Sequence, residues 1–195
     1  FVNRALFSIR VPKNISYFWN FGSILRVILV LQILSRLFLT IFFIRDSNLA
    51  FYSVLYIQVN VNFGWIIRFV HANRASTFLL LIFIHICRRL YFNSFNKSAL
   101  WASGVTILLL VIGSAFLGYV LPWGQISFWG ATVITNLISA IPVYRVSITN
   151  WIWGGFSVIR ATLTRFYTFH FLFPLLVLVL IILHLFLLHI TGSSN

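Results

Sequence analysis

A chain of 195 residues that is 61% hydrophobic and only 8% charged cannot cover a water-facing surface, because soluble domains carry about a quarter of their residues as charged side chains. Asp46 is the sole acidic side chain against 14 Lys and Arg, for a formal net charge of +13, yet several arginines stand inside apolar stretches where no nucleic acid could reach them. Nucleic-acid binding is therefore excluded, the lone Cys87 rules out a disulfide framework or an iron-sulfur cluster, and the expected anionic partners are lipid headgroups or the carboxylates of a buried cofactor.

No charged segment, short apolar run and small-residue cleavage site follow one another from Phe1, so no signal peptide is expected. Residues 1–19 mix Arg4, Arg10 and Lys13 with apolar side chains, which suits a segment lying on the membrane surface. The first span is predicted over about 21–44, and 46–62 reads as a moderately polar connection. A second span over about 65–91 carries His71 and His85. The third covers about 100–121 and stops at Pro122, which cannot extend a helix without losing a hydrogen bond. Residues 123–160 are too interrupted to span. Trp129, Trp151 and Trp153 sit there as interfacial aromatics do, so short helices on one membrane face are expected. The fourth span, about 167–190, carries His170 and His184. The expected fold is an all-α membrane protein, a four-helix transmembrane bundle with short interfacial helices between spans three and four. Counting Lys and Arg on the loops mildly favours an inside N-terminus. Asn195 follows the last span closely, which reads as a natural split or a truncated chain.

The histidines carry the chemistry. His71 and His85 are 14 residues apart, as are His170 and His184. On a helix, 14 residues return to within roughly 40° of the same face and climb about 21 Å. Spans two and four run in the same direction in an up-down order. His71 then lies level with His170 and His85 level with His184, giving two bis-imidazole sites, each fit to clamp a metal macrocycle. An iron with two axial imidazoles has no open position, so its task is to take and pass one electron. A single intramembrane histidine is as easily explained by helix-helix hydrogen bonding; four in repeated register are not. Gly104 and Gly118 repeat the same 14-residue step in span three and would allow close approach to each ring, although small-residue helix packing also uses such glycines. Arg68 and Arg88 lie one turn outside the paired sites, placed to neutralise carboxylates or to snorkel to headgroups. A proton-conducting protein that uses the histidines as a relay, or a haem-free structural fragment, would be the competing class.

The runs NFGSILRVILVLQIL, NFGWIIRFVHANRAS, GYVLPWGQISFWGATVITNLISAIP, NWIWGGFSVIRATLTRFYTFHF and HLFLLHITGSSN resemble the N-terminal half of mitochondrial cytochrome b, and the likeness covers nearly the whole chain. That resemblance implies the dihaem, quinone-handling subunit of ubiquinol:cytochrome c oxidoreductase, complex III of the mitochondrial inner membrane. His71 and His170 match the ligands of the low-potential haem b, and His85 and His184 those of the high-potential haem b. Gly22, Arg68, Arg88, Trp101, Gly104 and Gly118 match haem-contacting positions. Phe116 and Gly130 match the quinol-oxidising pocket, and Asn20, His189 and Ser193 the quinone-reducing one. The resemblance further implies ubiquinone as substrate. It implies as partners a Rieske iron-sulfur protein, a membrane-anchored c-type cytochrome, other subunits and a second copy of the chain. The equal spacing of 14 resembles the respiratory form more than the photosynthetic one, which has an additional residue between its fourth-span histidines. The family's Pro-Glu-Trp-Tyr motif and inner acidic residue are not among these residues, so only part of each quinone pocket is expected here.

Two departures stand out against the family. Arg26, Arg36, Arg74, Arg89 and Arg145 occupy positions where it typically has Gly, and Met is absent, with Ile126 in the Met position of the GQMSFWG run. Arg36 lies 14 residues after Gly22, in the ring-facing slot of span one. One cause would cover both departures: a mitochondrial genome in which AGA and AGG specify Gly and AUA specifies Met, translated with another code. The alternative is a set of genuine arginines that snorkel or pair with haem carboxylates.

Overall fold

The structure is a computed structural model that describes residues 13–140, 142 and 145–193. Among these residues the regular secondary structure is entirely helical, without strands. Seven α-helices follow in order: α1 (Phe21–Phe42), α2 (Ala50–Asn60), α3 (Gly64–Tyr91), α4 (Ser98–Val120), α5 (Gln125–Asn136), α6 (Arg145–Trp153) and α7 (Arg160–Thr191). A 3-10 turn at Tyr17–Asn20 leads into α1, started by the Ser16 hydroxyl, which accepts from the Phe18 amide. With that turn, α1 joins α3, α4 and α7 as the four helices long and apolar enough to cross a membrane. The expected surface segment at the N-terminus falls largely on residues 1–12, outside the described residues.

Three spans begin and end within two or three residues of expectation. The fourth starts seven residues early, at Arg160, because Thr162 builds a helix start that apolar periodicity does not reveal. Its hydroxyl accepts from the Ile159 amide (3.0 Å) and donates to the Trp153 carbonyl (2.7 Å), the reach-back half of a capping box. The connection expected over 46–62 is corrected too: it contains helix α2. A turn at Asp46 leads into it, the carboxylate accepting from the Asn48 amide at 2.9 Å and the carbonyl from the Ala50 amide at 2.8 Å. Ser53 then ties the helix back to Ile44, whose amide donates to its hydroxyl. Local side-chain capping of this kind can start a helix that hydropathy alone reads as a loop.

The chain divides into two compact units. One comprises the described residues of 1–33, 72–112 and 173–195; its core is Leu29, Phe78, Ile82, Val111 and Val177, drawn from all four long helices. The other comprises 34–71 and 113–172, with Ile57, Val120, Ala131, Leu163 and Phe166 buried. In this unit the Trp153 indole donates to the Thr135 hydroxyl at 2.7 Å, joining α6 to α5. Many large apolar side chains of the long helices point outward, Val27, Ile41, Leu109 and Ile182 among them. Such a surface suits hydrocarbon and not water.

Candidate bis-histidine sites

Each unit contains one of the two expected histidine pairs. In the second unit, His71 on α3 and His170 on α7 face one another with ring centroids 6.3 Å apart. They line a pocket with Arg36, Arg68, Gly118 and Phe171. Both rings are held by their inner nitrogens. His170 Nδ1 lies 2.8 Å from the Ser114 carbonyl; a carbonyl only accepts, so Nδ1 carries the proton and Nε2 keeps its lone pair. His71 Nδ1 lies 2.8 Å from the Ser35 hydroxyl. On α4, a Cβ on Gly118 would stand 2.5 Å from His170 Cε1, so the His170 ring sits where any side chain at 118 would be.

His85 and His184 belong to the other unit. Here the Ser103 hydroxyl donates to the Leu100 carbonyl at 2.9 Å and lies 2.8 Å from His184 Nδ1. Its own proton is committed to the carbonyl, so it accepts from Nδ1–H and again leaves Nε2 free to bind a metal. His85 Nδ1 is buried without a hydrogen-bond partner. A Cβ on Gly22 would come within 3.3 Å of His85 Cε1, and one on Gly104 within 3.3 Å of His184 Cε1. Glycine against imidazole is thus a recurring contact in both units. Arg88 stacks over the Trp19 ring at 5.1 Å while its Nε is buried and unpartnered, a donor in want of an anion.

These residues fit a haem. A metal-bound imidazole nitrogen sits about 2 Å from its metal and the ring centre roughly 1 Å further out, so opposed imidazoles on one iron have centroids roughly 6 Å apart. The His71–His170 separation meets that requirement. Nδ1 partners that fix the tautomer are the usual companions of metal-binding histidines, and Arg68 and Arg88 would be cations available to carboxylates.

The family model for cytochrome b/b6/petB matches residues 6–192. The chain belongs to the cytochrome b family. Among solved structures it is similar to a chain of a "Hyperthermophilic respiratory Complex III", with a TM-score of 0.89 at 31% sequence identity over 100% of this chain. It spans 53% of that longer chain. With four helices able to cross a bilayer, this cytochrome b is a multi-pass membrane protein.

The remaining family positions are distributed as follows. Trp101 is half-buried near the start of α4. Phe116 packs its ring 5.9 Å from Phe166, and Gly130 on α5 has loose surroundings, its nearest neighbour to an added Cβ being Tyr119 at 4.0 Å. Asn20 is exposed, its carbonyl accepting from the Ser23 hydroxyl. His189 and Ser193 are half-buried at the end of α7. There Lys97 donates to the Thr191 carbonyl at 3.2 Å and to the Gly192 carbonyl, tying down the helix end. Burial, and next the Arg89 charge, holds the Lys97 ammonium below its ordinary range.

Sequence reasoning missed Ser35, Ser103 and Ser114. A signal was present: Ser103 immediately precedes Gly104, and Ser114 lies one turn before Gly118, so a small hydroxyl accompanies each ring-facing glycine of α4. Ser103→Ala removes the acceptor for His184 Nδ1–H. It is expected to accelerate haem loss to a scavenging apoprotein about tenfold, in the range for outer-sphere ligand partners; an unchanged release rate would show that the hydroxyl does not orient the ring.

Proposed function

We propose that the chain is the N-terminal, dihaem part of a mitochondrial cytochrome b acting in a ubiquinol:cytochrome c oxidoreductase. In this reading His71 and His170 hold one haem b and His85 and His184 the other. The observation that carries the reading is the 6.3 Å His71–His170 centroid separation, together with Nδ1 contacts that leave Nε2 of His170 and His184 available. Bound haem supplies a one-electron couple without an open coordination position.

The chain's own residues then have defined tasks. Ser35, Ser103 and Ser114 orient imidazoles. Gly22, Gly104 and Gly118 keep the space beside those rings free of side chains. Arg68, which lines the His71–His170 pocket, and Arg88, with its unpaired Nε, receive haem carboxylates, and Trp101 packs beside the group. Phe116 and Gly130 contribute to a quinol-oxidising pocket. Asn20, His189 and Ser193 contribute to a quinone-reducing one, where a histidine at a span end can donate a hydrogen bond and a proton to a quinone oxygen. A Rieske protein, a membrane-anchored c-type cytochrome, further subunits and a second copy complete the assembly in the mitochondrial inner membrane.

Pyridine haemochrome quantitation of the purified complex tests this directly. Two haem b per chain and a reduced-minus-oxidised spectrum of low-spin b type are expected. A haem-free subunit would leave a proton-conducting or structural fragment in its place.

A further inference from the structure

Arg36 is 5% exposed in the second half of α1, in a span meant for hydrocarbon, where a buried arginine is costly unless its donors are met. Its surroundings on α7 reveal what holds it there. Pro174 lies inside α7 and has no N–H, so the His170 carbonyl four residues earlier loses its helical donor. Arg36 Nη1 donates to the Phe171 carbonyl at 2.6 Å and reaches the His170 carbonyl at 3.5 Å. Its guanidinium also lies 4.3 Å over the Phe171 ring. The arginine thus serves the backbone of the residue whose imidazole faces His71.

Its charge is another matter. Asp46 is the only carboxylate side chain in the sequence, and it pairs with Arg160 at 3.4 Å. Arg36 Nε is buried without a partner, and Arg36 lines the same pocket as His71 and His170. No carboxylate side chain is left in the chain to offset this cation.

We propose that Arg36 is a positioning and charge-setting residue for the His71–His170 site, anchoring the His170 turn of α7 and raising the midpoint potential of the group bound there. The proposal rests on the haem reading above. A cation beside the iron favours the form with one more electron, and at protein effective dielectrics its influence over several ångströms is worth about a tenfold change in the reduced-to-oxidised ratio, or about 59 mV for a one-electron couple.

The test is a spectroscopic redox titration of the assembled complex in membranes, with the His85–His184 couple as internal reference. Arg36→Gln, which keeps a donor and removes the charge, is expected to lower one of the two haem midpoints by about tenfold in ratio and leave the other in place. Arg36→Lys retains the unaltered midpoint. Arg36→Gly, lacking charge and bulk, gives the same downward shift and serves where the glutamine variant does not assemble. Midpoints that stay within about a factor of two in ratio overturn the proposal, as does peptide mass spectrometry of the native subunit that finds glycine at position 36. Absence of haem from the unaltered subunit overturns the functional reading instead.

Discussion

Replacing His170 by leucine is expected to leave one haem b per chain in place of two. His170 is constrained on two sides: its Nδ1–H is committed to the Ser114 carbonyl at 2.8 Å, and its ring centroid lies 6.3 Å from that of His71. Leucine fills a similar volume without a nitrogen, so the proposed haem would lose the imidazole that His170 offers while the local packing is largely kept. The haem proposed for His85 and His184, in the other unit, would be retained. A cofactor that binds only the folded state stabilises it by about 4 kcal/mol when present a thousandfold above its dissociation constant, so thermal stability should fall by a comparable amount. Haemochrome quantitation and a melting curve read both effects. Retention of two haems with an unchanged low-spin spectrum would refute the pairing of His71 with His170.

Gly118→Ala is expected to have nearly the same result by a different route. An added Cβ at 118 would stand 2.5 Å from His170 Cε1 and 2.9 Å from its Nδ1, well inside van der Waals contact, and the ring is held from behind by Ser114. Either α4 backs away or the imidazole tilts. Overpacking of this kind costs about 1 to 3 kcal/mol, and a ligand constellation tolerates displacement of only about 0.5 Å. Haem content should fall toward one per chain, with loss of one component from the reduced spectrum. Gly130→Ala is the matched control. Its added Cβ meets only Tyr119 at 4.0 Å, so haem content stays at the unaltered value. Equal behaviour of the two variants would show that the His170 ring does not depend on the space beside Gly118.

The four spans were legible because hydropathy and helical period are properties of contiguous residues, and a 20-residue apolar run has few alternatives to a helix in a bilayer. The limits of that reasoning appear at α2 and at the start of α7. Asp46 closes the turn before α2 and Thr162 caps the start of α7 through hydrogen bonds of single side chains, which leave no trace in an averaged pattern. Arg36 lies between the two cases. Its oddity was plain from sequence, as a charge in a ring-facing slot, but its partners on α7 were not. They include a carbonyl exposed by Pro174 and lie 134 and 135 residues away.

From the sequence alone came the membrane class, the helical order, and the equal 14-residue spacing on which the proposed pairing of His71 with His170 and His85 with His184 rests. All of these depend on periodicity along one chain, which the α-helix translates directly into a face. Tertiary structure alone decided how His71, His170 and His184 are held. Ser35 meets His71 from 36 residues away, Ser114 meets His170 from 56, and Ser103 meets His184 from 81. Those partnerships depend on which faces of separate helices come within hydrogen-bonding reach, and the period of a single helix is blind to that.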